Sequence, residues 1–260
     1  MITSLSNPKI QRVRALLAHP KDRRETQAFV VEGVRLAEEA QNANWPVELL
    51  LFTEDLVERG RAVVDAMRER GAEIDSVSPQ VMRSISDTET PQGILVVLRK
   101  QTHVLAEQLD FIFIPDGVRD PGNLGGMLRT AAAAGVQAVF LPPGTVDAYS
   151  PKVLRAGMGA HFRLPILELG WQEIKTRLGD KGLQIYLADN HSGERYDQAD
   201  LRCPLALVVG SEASGASLDA ERLAELRLQI PMAGAVESLN AAAAAAVLLF
   251  EVVRQRGNQP

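Results

Sequence analysis

Hydrophobic and polar positions along this chain change period repeatedly, and the changes mark elements. FVVEG (29–33) is a short apolar run of strand type. Residues 33–41 then follow helical spacing, and VELLLFT (47–53) returns to a β-rich apolar run. A charged helical stretch over about 54–70 ends at Gly71. A short strand near 74–77, a helix opening at Ser78–Pro79 and the strand ILVVL (94–98) complete a first alternation. Strands alternating with helices predict a small α/β domain. The polar segment RKQTH (99–103) is the candidate linker.

A second alternation follows. FIFIP (111–115), VQAVFL (136–141), LPILEL (164–169), QIYLAD (184–189), LALVVG (205–210) and LRLQIP (226–231) read as strands. LALVVG is apolar throughout, as a buried parallel strand is. Helices are predicted from near Gly122, over 151–158 behind a Ser150–Pro151 cap, over 171–178, and from about Ser238 to Arg254.

Composition narrows the class. The 260 residues fit one large domain or two modest ones. A chain with 46% hydrophobic and 23% charged residues is neither disordered nor collagenous. The single Cys203 excludes an intrachain disulfide and a cysteine-cluster zinc site. The apolar run 241–250 is half the roughly 20 residues of a membrane span. MITSLSNPKIQR lacks the apolar core of a signal peptide, so a cytoplasmic globular protein is expected.

Net charge is −5, yet residues 1–24 hold six basic side chains against Asp22 alone. That surplus predicts a basic arm able to meet phosphates. The competing reading is an ordinary amphipathic helix, because Ile10, Val13, Leu16 and Leu17 recur at helical spacing.

Three stretches carry candidate chemistry. IPDGVRDPGNLGGMLRTAAAAG (114–135) is a strand, a Gly/Asp/Pro loop and a helix with Asn123 near its start and Arg129 further along. It is neither G-x-G-x-x-G nor a Walker loop. Arg129 lies among Ala, Leu and Met and needs a partner, either a ligand or a carboxylate of the same chain. LALVVGSEASGAS (205–217) runs from a strand into a turn holding Gly210 and Glu212. Ligands of open α/β sheets sit beyond such strand ends, and Gly210 would admit one close to the backbone. A tight turn capped by Ser and Glu is the alternative. LQIPMAGAVESLNAAAAAAVLLFEVVRQR (228–256) leads from a strand through Ser238 and Asn240 to a helix opening with six alanines. Ser238 is a natural N-cap, and the alanines suit a crowded site or plain close packing.

In this order the three stretches resemble the motifs of the SpoU/TrmH branch of the SPOUT methyltransferases, from Asp110 to the C-terminus. The N-terminal stretch is similar to the L30e-like substrate-binding domain found in that family. The resemblance implies an α/β protein with a basic arm and RNA-binding domain over 1–100 and a parallel-sheet SPOUT domain over 108–260. It implies a deep trefoil knot there, which periodicity does not show and which is nearly absent among proteins. It further implies a homodimer with sites near the interface, S-adenosylmethionine as cofactor, and methyl transfer to a ribose 2′-hydroxyl of RNA. Asn123 and Arg129 match the first motif, Glu212 the second, and Ser238 and Asn240 the third. Gly210, Ile230 and Leu239 match positions whose backbone holds the cofactor's adenosine part, with Met232 nearby.

Such a transfer has a neutral leaving group and needs no general acid. It needs no metal, and His19, His103, His161 and His191 are scattered without ligand spacing. A guanidinium stays charged, so Arg129 is read as gripping an RNA phosphate and stabilising developing alkoxide charge rather than acting as a base. Asn123 would position the ribose or Arg129, Glu212 would orient Arg129 or Asn123, and Ser238 and Asn240 would shape the site. The expected substrate is 23S ribosomal RNA, with transfer RNA as the alternative. A non-catalytic RNA-binding protein is a second alternative, disfavoured by the full set of motif residues. A nicotinamide-dependent oxidoreductase is disfavoured by the missing G-x-G-x-x-G.

Overall fold

The structure, a computed structural model, describes residues 1–101, 105–212, 215–234 and 236–257. The chain forms two compact units, Met1–Thr102 with Tyr149–Phe162, and His103–Ala148 with Arg163–Pro260. The helix expected at 151–158 therefore groups with the first unit, which the strand–helix alternation gave no sign of. Of the candidate linker, Arg99 still belongs to a strand, and 102–103 lie outside the described residues. No helix among the described residues is long and apolar enough to cross a membrane.

The first unit is built on a four-stranded sheet in the order β1 (Ala28–Glu32), β4 (Ile94–Arg99), β2 (Val47–Phe52) and β3 (Ile74–Ser76). β4 is antiparallel to both neighbours, and β2 and β3 are parallel. Central β4 is buried along its first five residues. The helices are α1 (Pro8–Ala18), α2 (Pro20–Thr26), α3 (Val34–Asn42), α4 (Glu58–Glu69), α5 (Pro79–Ile85) and α7 (Pro151–Gly157). Ser78 caps α5 as expected, its hydroxyl accepting from Val81 N at 3.3 Å. Ser150 precedes α7 but caps nothing; its hydroxyl is buried without a partner among the described residues.

The N-terminal segment is not a free basic arm. Asn7 caps α1 by accepting from Lys9 N at 2.9 Å, and Pro8 starts the helix. Ile10, Val13 and Leu16 are fully buried in a core that includes Val30, Leu49 and Val97. Lys9 pairs with Glu73 and Asp75, and Arg12 with Glu48. Arg23 is buried and donates to the Leu16 and Leu17 carbonyls in the last turn of α1. Of the six cationic side chains, only those of Arg14 and Arg24 make no hydrogen bond or ion pair among the described residues. The amphipathic helix prevails because its apolar face has a sheet to bury against, and the fold supplies carboxylates for its polar face.

The second unit contains seven parallel strands in the order β7 (Ile166–Glu168), β6 (Ala138–Leu141), β5 (Phe111–Pro115), β10 (Leu205–Val209), β8 (Gln184–Ala188), β11 (Leu226–Gln229) and β9 (Glu194–Arg195). Its helices are α6 (Pro121–Ala133), α8 (Trp171–Lys181), α9 (Leu218–Leu223) and α10 (Ala241–Gly257). β5 and β10 are buried along their whole length, as strands covered on both faces must be. Ile112, Ile114, Phe140, Ile174, Leu187 and Val208 are part of the core between sheet and helices. β11 stops at Gln229, so Ile230 and Pro231 lie beyond the strand rather than in it. This end of the parallel sheet, where β8, β10 and β11 finish side by side, positions the site.

Candidate active site

The last helix shows how the site is assembled. α10 begins at Ala241, not Ser238. Its cap is Asn240, whose Oδ1 accepts from Ala242 N at 3.0 Å and Ala243 N at 3.2 Å. Ser238 is exposed three residues before the helix and has no hydrogen-bond partner among the described residues. The spacing alone could not choose between two capping residues two positions apart.

Capping fixes which way the Asn240 amide faces. With Oδ1 spent on the helix, Nδ2 points outward and donates to Asn123 Oδ1 at 3.0 Å and to Glu212 Oε1. Asn123 Nδ2 donates to the same Glu212 oxygen at 3.0 Å, and Ala241 N joins it at 2.9 Å. One carboxylate oxygen thus gathers N–H donors from both other motifs at the positive end of α10. Asn123 is held from behind, since Asp120 Oδ1 accepts its backbone N–H at 2.7 Å and caps α6. Where α6 meets α10, a Cβ placed on Gly126 would sit 3.8 Å from the Ala242 Cβ. Small residues at this contact let the two helices lie close.

Arg129 is not part of this cluster. Six residues after Asn123, it lies about 9 Å further along the helix axis and about 120° round it. It is exposed, with neither a hydrogen bond nor an ion pair among the described residues. The carboxylate partner that stood as the alternative to a ligand is absent among the described residues. Glu212 is committed to Asn123, Asn240 and Ala241 instead.

Beside the cluster a cavity of about 450 Å³ opens at the carboxyl ends of β8, β10 and β11. Gly210, Ile230, Met232 and Leu239, the expected cofactor positions, all line it, together with Glu212 and Ser238. Gly210 has a reason the sequence did not reveal. A Cβ there would lie 2.4 Å from the Gly215 carbonyl carbon, so it is the chain itself that approaches. The turn closes through Ser211 N to Gly215 O at 2.9 Å and the reciprocal bond at 3.0 Å.

A further wall of the cavity escaped sequence reasoning. Leu187, Asp189, Asn190 and His191 line it from the end of β8. Asp189 accepts from His191 N at 2.8 Å and Ser192 N at 3.3 Å, and pairs with Arg227 of β11. Burial raises its pKa, but these donors outweigh that and hold it below the ordinary carboxylate value. Gly193 at φ +128° presses on the Arg227 carbonyl, 2.5 Å from where a Cβ would stand. The signal was an Asp and a Gly just past a predicted strand. Asp116, at the end of β5, was also missed. It is buried, which raises its pKa, and its Oδ2 accepts from Ser217 N at 2.6 Å, joining the first-motif loop to the second.

The donor set suits S-adenosylmethionine. Apolar Leu187, Val209, Ile230 and Leu239 offer faces for a purine, while Asp189, Ser238 and Glu212 offer polar groups at the rim. The profile of the SpoU rRNA methylase family matches residues 110–250, more than half of the chain. The chain belongs to the SpoU rRNA methylase family. The profile of the MRM3-like substrate-binding domain matches residues 7–96. This SpoU protein is 33% identical to the 23S rRNA (guanosine(2553)-2′-O)-methyltransferase RlmP of Bacillus subtilis, over 96% of this chain and 98% of that one. It is 34% identical to the mitochondrial rRNA methyltransferase 3 of Homo sapiens, over 95% and 73% respectively. The crystal structure of the SpoU methyltransferase AviRb from Streptomyces viridochromogenes, in complex with AdoMet, superposes with a TM-score of 0.90 at 28% identity, covering 98% of this chain and all of that one.

Proposed function

We propose that this SpoU protein methylates a ribose 2′-hydroxyl of 23S ribosomal RNA, using S-adenosylmethionine. The observation that carries the reading is the union of Asn123, Glu212 and Asn240, from three separate stretches, beside the cavity that Glu212 lines. The cofactor supplies a methyl group on a positive sulfur, with a neutral thioether as leaving group. The chain must then position a hydroxyl in line and manage its proton. Asn123, held rigid by Asp120 and Glu212, presents its amide to the ribose. Arg129, exposed and without a partner among the described residues, grips the neighbouring phosphate and stabilises developing alkoxide charge. It stays protonated, so the phosphate or a water takes the proton. Ser238, without a partner among the described residues and at the cavity rim, is available to the cofactor or the ribose.

The ribosomal over the transfer-RNA reading is supported by the match of residues 7–96 to a substrate-binding domain named for an rRNA enzyme. In this reading residues 1–100 select the RNA and 108–260 carry out the transfer. A homodimer completes it. Phe250 and Val253 on α10 are 48% and 36% exposed, and with Ala243 and Val247 they form a stripe at helical spacing that a second copy would cover. The trefoil knot belongs to the same reading. It is supported by the return of the chain after β11 to the middle of the sheet, where α10 packs on α6 and Ala241 meets Glu212.

The test is transfer of radiolabelled methyl from S-adenosylmethionine to unmodified ribosomal and transfer RNA in parallel. Label in ribosomal RNA that survives alkaline hydrolysis as a resistant dinucleotide is the expected result. Label in transfer RNA alone would reassign the substrate. Cofactor binding without label in either pool would favour the binding-only protein.

A further inference from the structure

We propose that Arg119 is a second phosphate-binding residue for the RNA, on the loop that leads into α6. The proposal rests on the methyltransferase reading and extends its substrate contacts beyond Arg129.

The second unit holds ten arginines. Seven pair with carboxylates of the same unit, and Arg163 is also engaged. The two left over, Arg119 and Arg129, both lie in the short stretch around Asn123, and both are exposed. Among the described residues, unpaired charge in this unit's arginines is therefore confined to the stretch that carries Asn123 rather than spread over its surface.

The backbone beneath Arg119 is fixed on both sides. Asp116 N donates to Val209 O at 2.9 Å, Gly117 N to Thr145 Oγ1 at 3.1 Å, and Val146 N to Val118 O at 2.9 Å. Asp120, the nearest carboxylate in sequence, is spent on capping α6 through Asn123 N. It forms no ion pair with Arg119 among the described residues. A rigid main chain carrying a free guanidinium is preorganised for a polyanion, because only side-chain freedom is lost on binding. Its planar donor fork matches phosphate oxygens. The ligand chemistry is a phosphodiester near the methylated ribose. Such a contact sets register and affinity but reads no base.

The experiment compares the intact wild-type protein with Arg119→Ala, Arg119→Lys and Lys175→Ala. Lys175 is an exposed cation on α8 with no partner among the described residues, outside the cavity lining. Binding to an unmodified 23S rRNA transcript is measured across a salt series, alongside steady-state methyl transfer. Arg119→Ala is expected to weaken RNA binding about tenfold and to make the log–log salt slope shallower by about 0.7–0.9, the release from one phosphate contact. KM for RNA rises while kcat, KM for S-adenosylmethionine and Tm stay at wild-type values. Arg119→Lys restores the slope, since the slope counts charges, and Lys175→Ala leaves it unchanged. An unchanged slope in Arg119→Ala, or an equal change in Lys175→Ala, overturns the proposal. A wild-type protein that binds the cofactor but methylates no RNA fails the methyltransferase reading instead, a result distinct from either.

Discussion

α1 and the β5–α6 stretch are both rich in signals for RNA contact, and the fold treats them oppositely. Residues 1–24 hold six basic side chains against one acidic, yet Lys9 and Arg12 of α1 end on carboxylates of the same unit and the following Arg23 on buried carbonyls, leaving only Arg14 and Arg24 open among the described residues. In the β5–α6 stretch two arginines remain open, on a backbone that is fixed before any ligand arrives. Charge counted along the chain measures what a segment carries, whereas binding needs charge that the fold has not already satisfied. Surface ion pairs such as those of α1, whose cations stay at least a third exposed, contribute at most about 1 kcal/mol each.

The sharpest break of this comparison is Arg129→Ala. It is expected to lower kcat by about 100- to 1,000-fold, the usual effect of removing a donor aimed at developing negative charge. Cofactor affinity by calorimetry and Tm are expected to hold, because the side chain has no partner to lose among the described residues. If kcat survives, the open guanidinium of α6 is no more functional than the paired ones of α1.

Glu212→Ala tests the cluster beside it. Three N–H groups lose their shared acceptor, but the cluster is exposed and water can replace it, so stability is expected to fall by only about 0.5–1.5 kcal/mol in urea titration. Cofactor affinity should fall as well, since Glu212 lines the cavity. Glu212→Gln, which keeps one acceptor oxygen, should recover part of both. Asn240→Ala removes the cap of α10 and is expected to cost about 1 kcal/mol.

The smallest effects belong to α1. Arg12→Ala is expected to shift stability by less than about 1 kcal/mol and leave the RNA salt slope unchanged. Its partner Glu48 adds a pH signature. Burial raises its pKa, but Arg99 and Arg12 outweigh that and hold it below the ordinary value of 4.5. A carboxylate with a depressed folded-state pKa contributes stability above its unfolded pKa and loses it as pH falls through the folded one. Glu48→Gln should therefore be less stable than wild type at pH 7, with the gap closing in acid below that ordinary value. A gap independent of pH would mean that the pairing is not what stabilises α1.

Much of the fold was legible in the chain. Ten of the eleven strands among the described residues were marked in the sequence, most plainly β5 and β10, because a parallel strand covered on both faces cannot avoid a continuous apolar signal. The two-residue β9 was too short to leave one. The cap at Ser78 followed from local chemistry, for a cap needs only its own helix. Ser150 and Ser238 looked the same in sequence and cap nothing, because a second residue or a buried setting competed for the role.

What the sequence by itself determined is the inventory: alternating elements, the three motif stretches, and the residues Asn123, Arg129, Glu212, Ser238 and Asn240 with the chemistry their family resemblance implies. Tertiary structure alone decided which of them meet. Asn123 and Asn240 are 117 residues apart and share one carboxylate oxygen, a relation set by the order in which strands pair. It likewise decided that Asp189 walls the cavity, that Gly210 makes room for the chain itself, and that Arg119 and Arg129 find no ion-pair partner among the described residues. Periodicity reports which face of an element is buried. Partnership between side chains depends on long-range packing, and no local pattern encodes it.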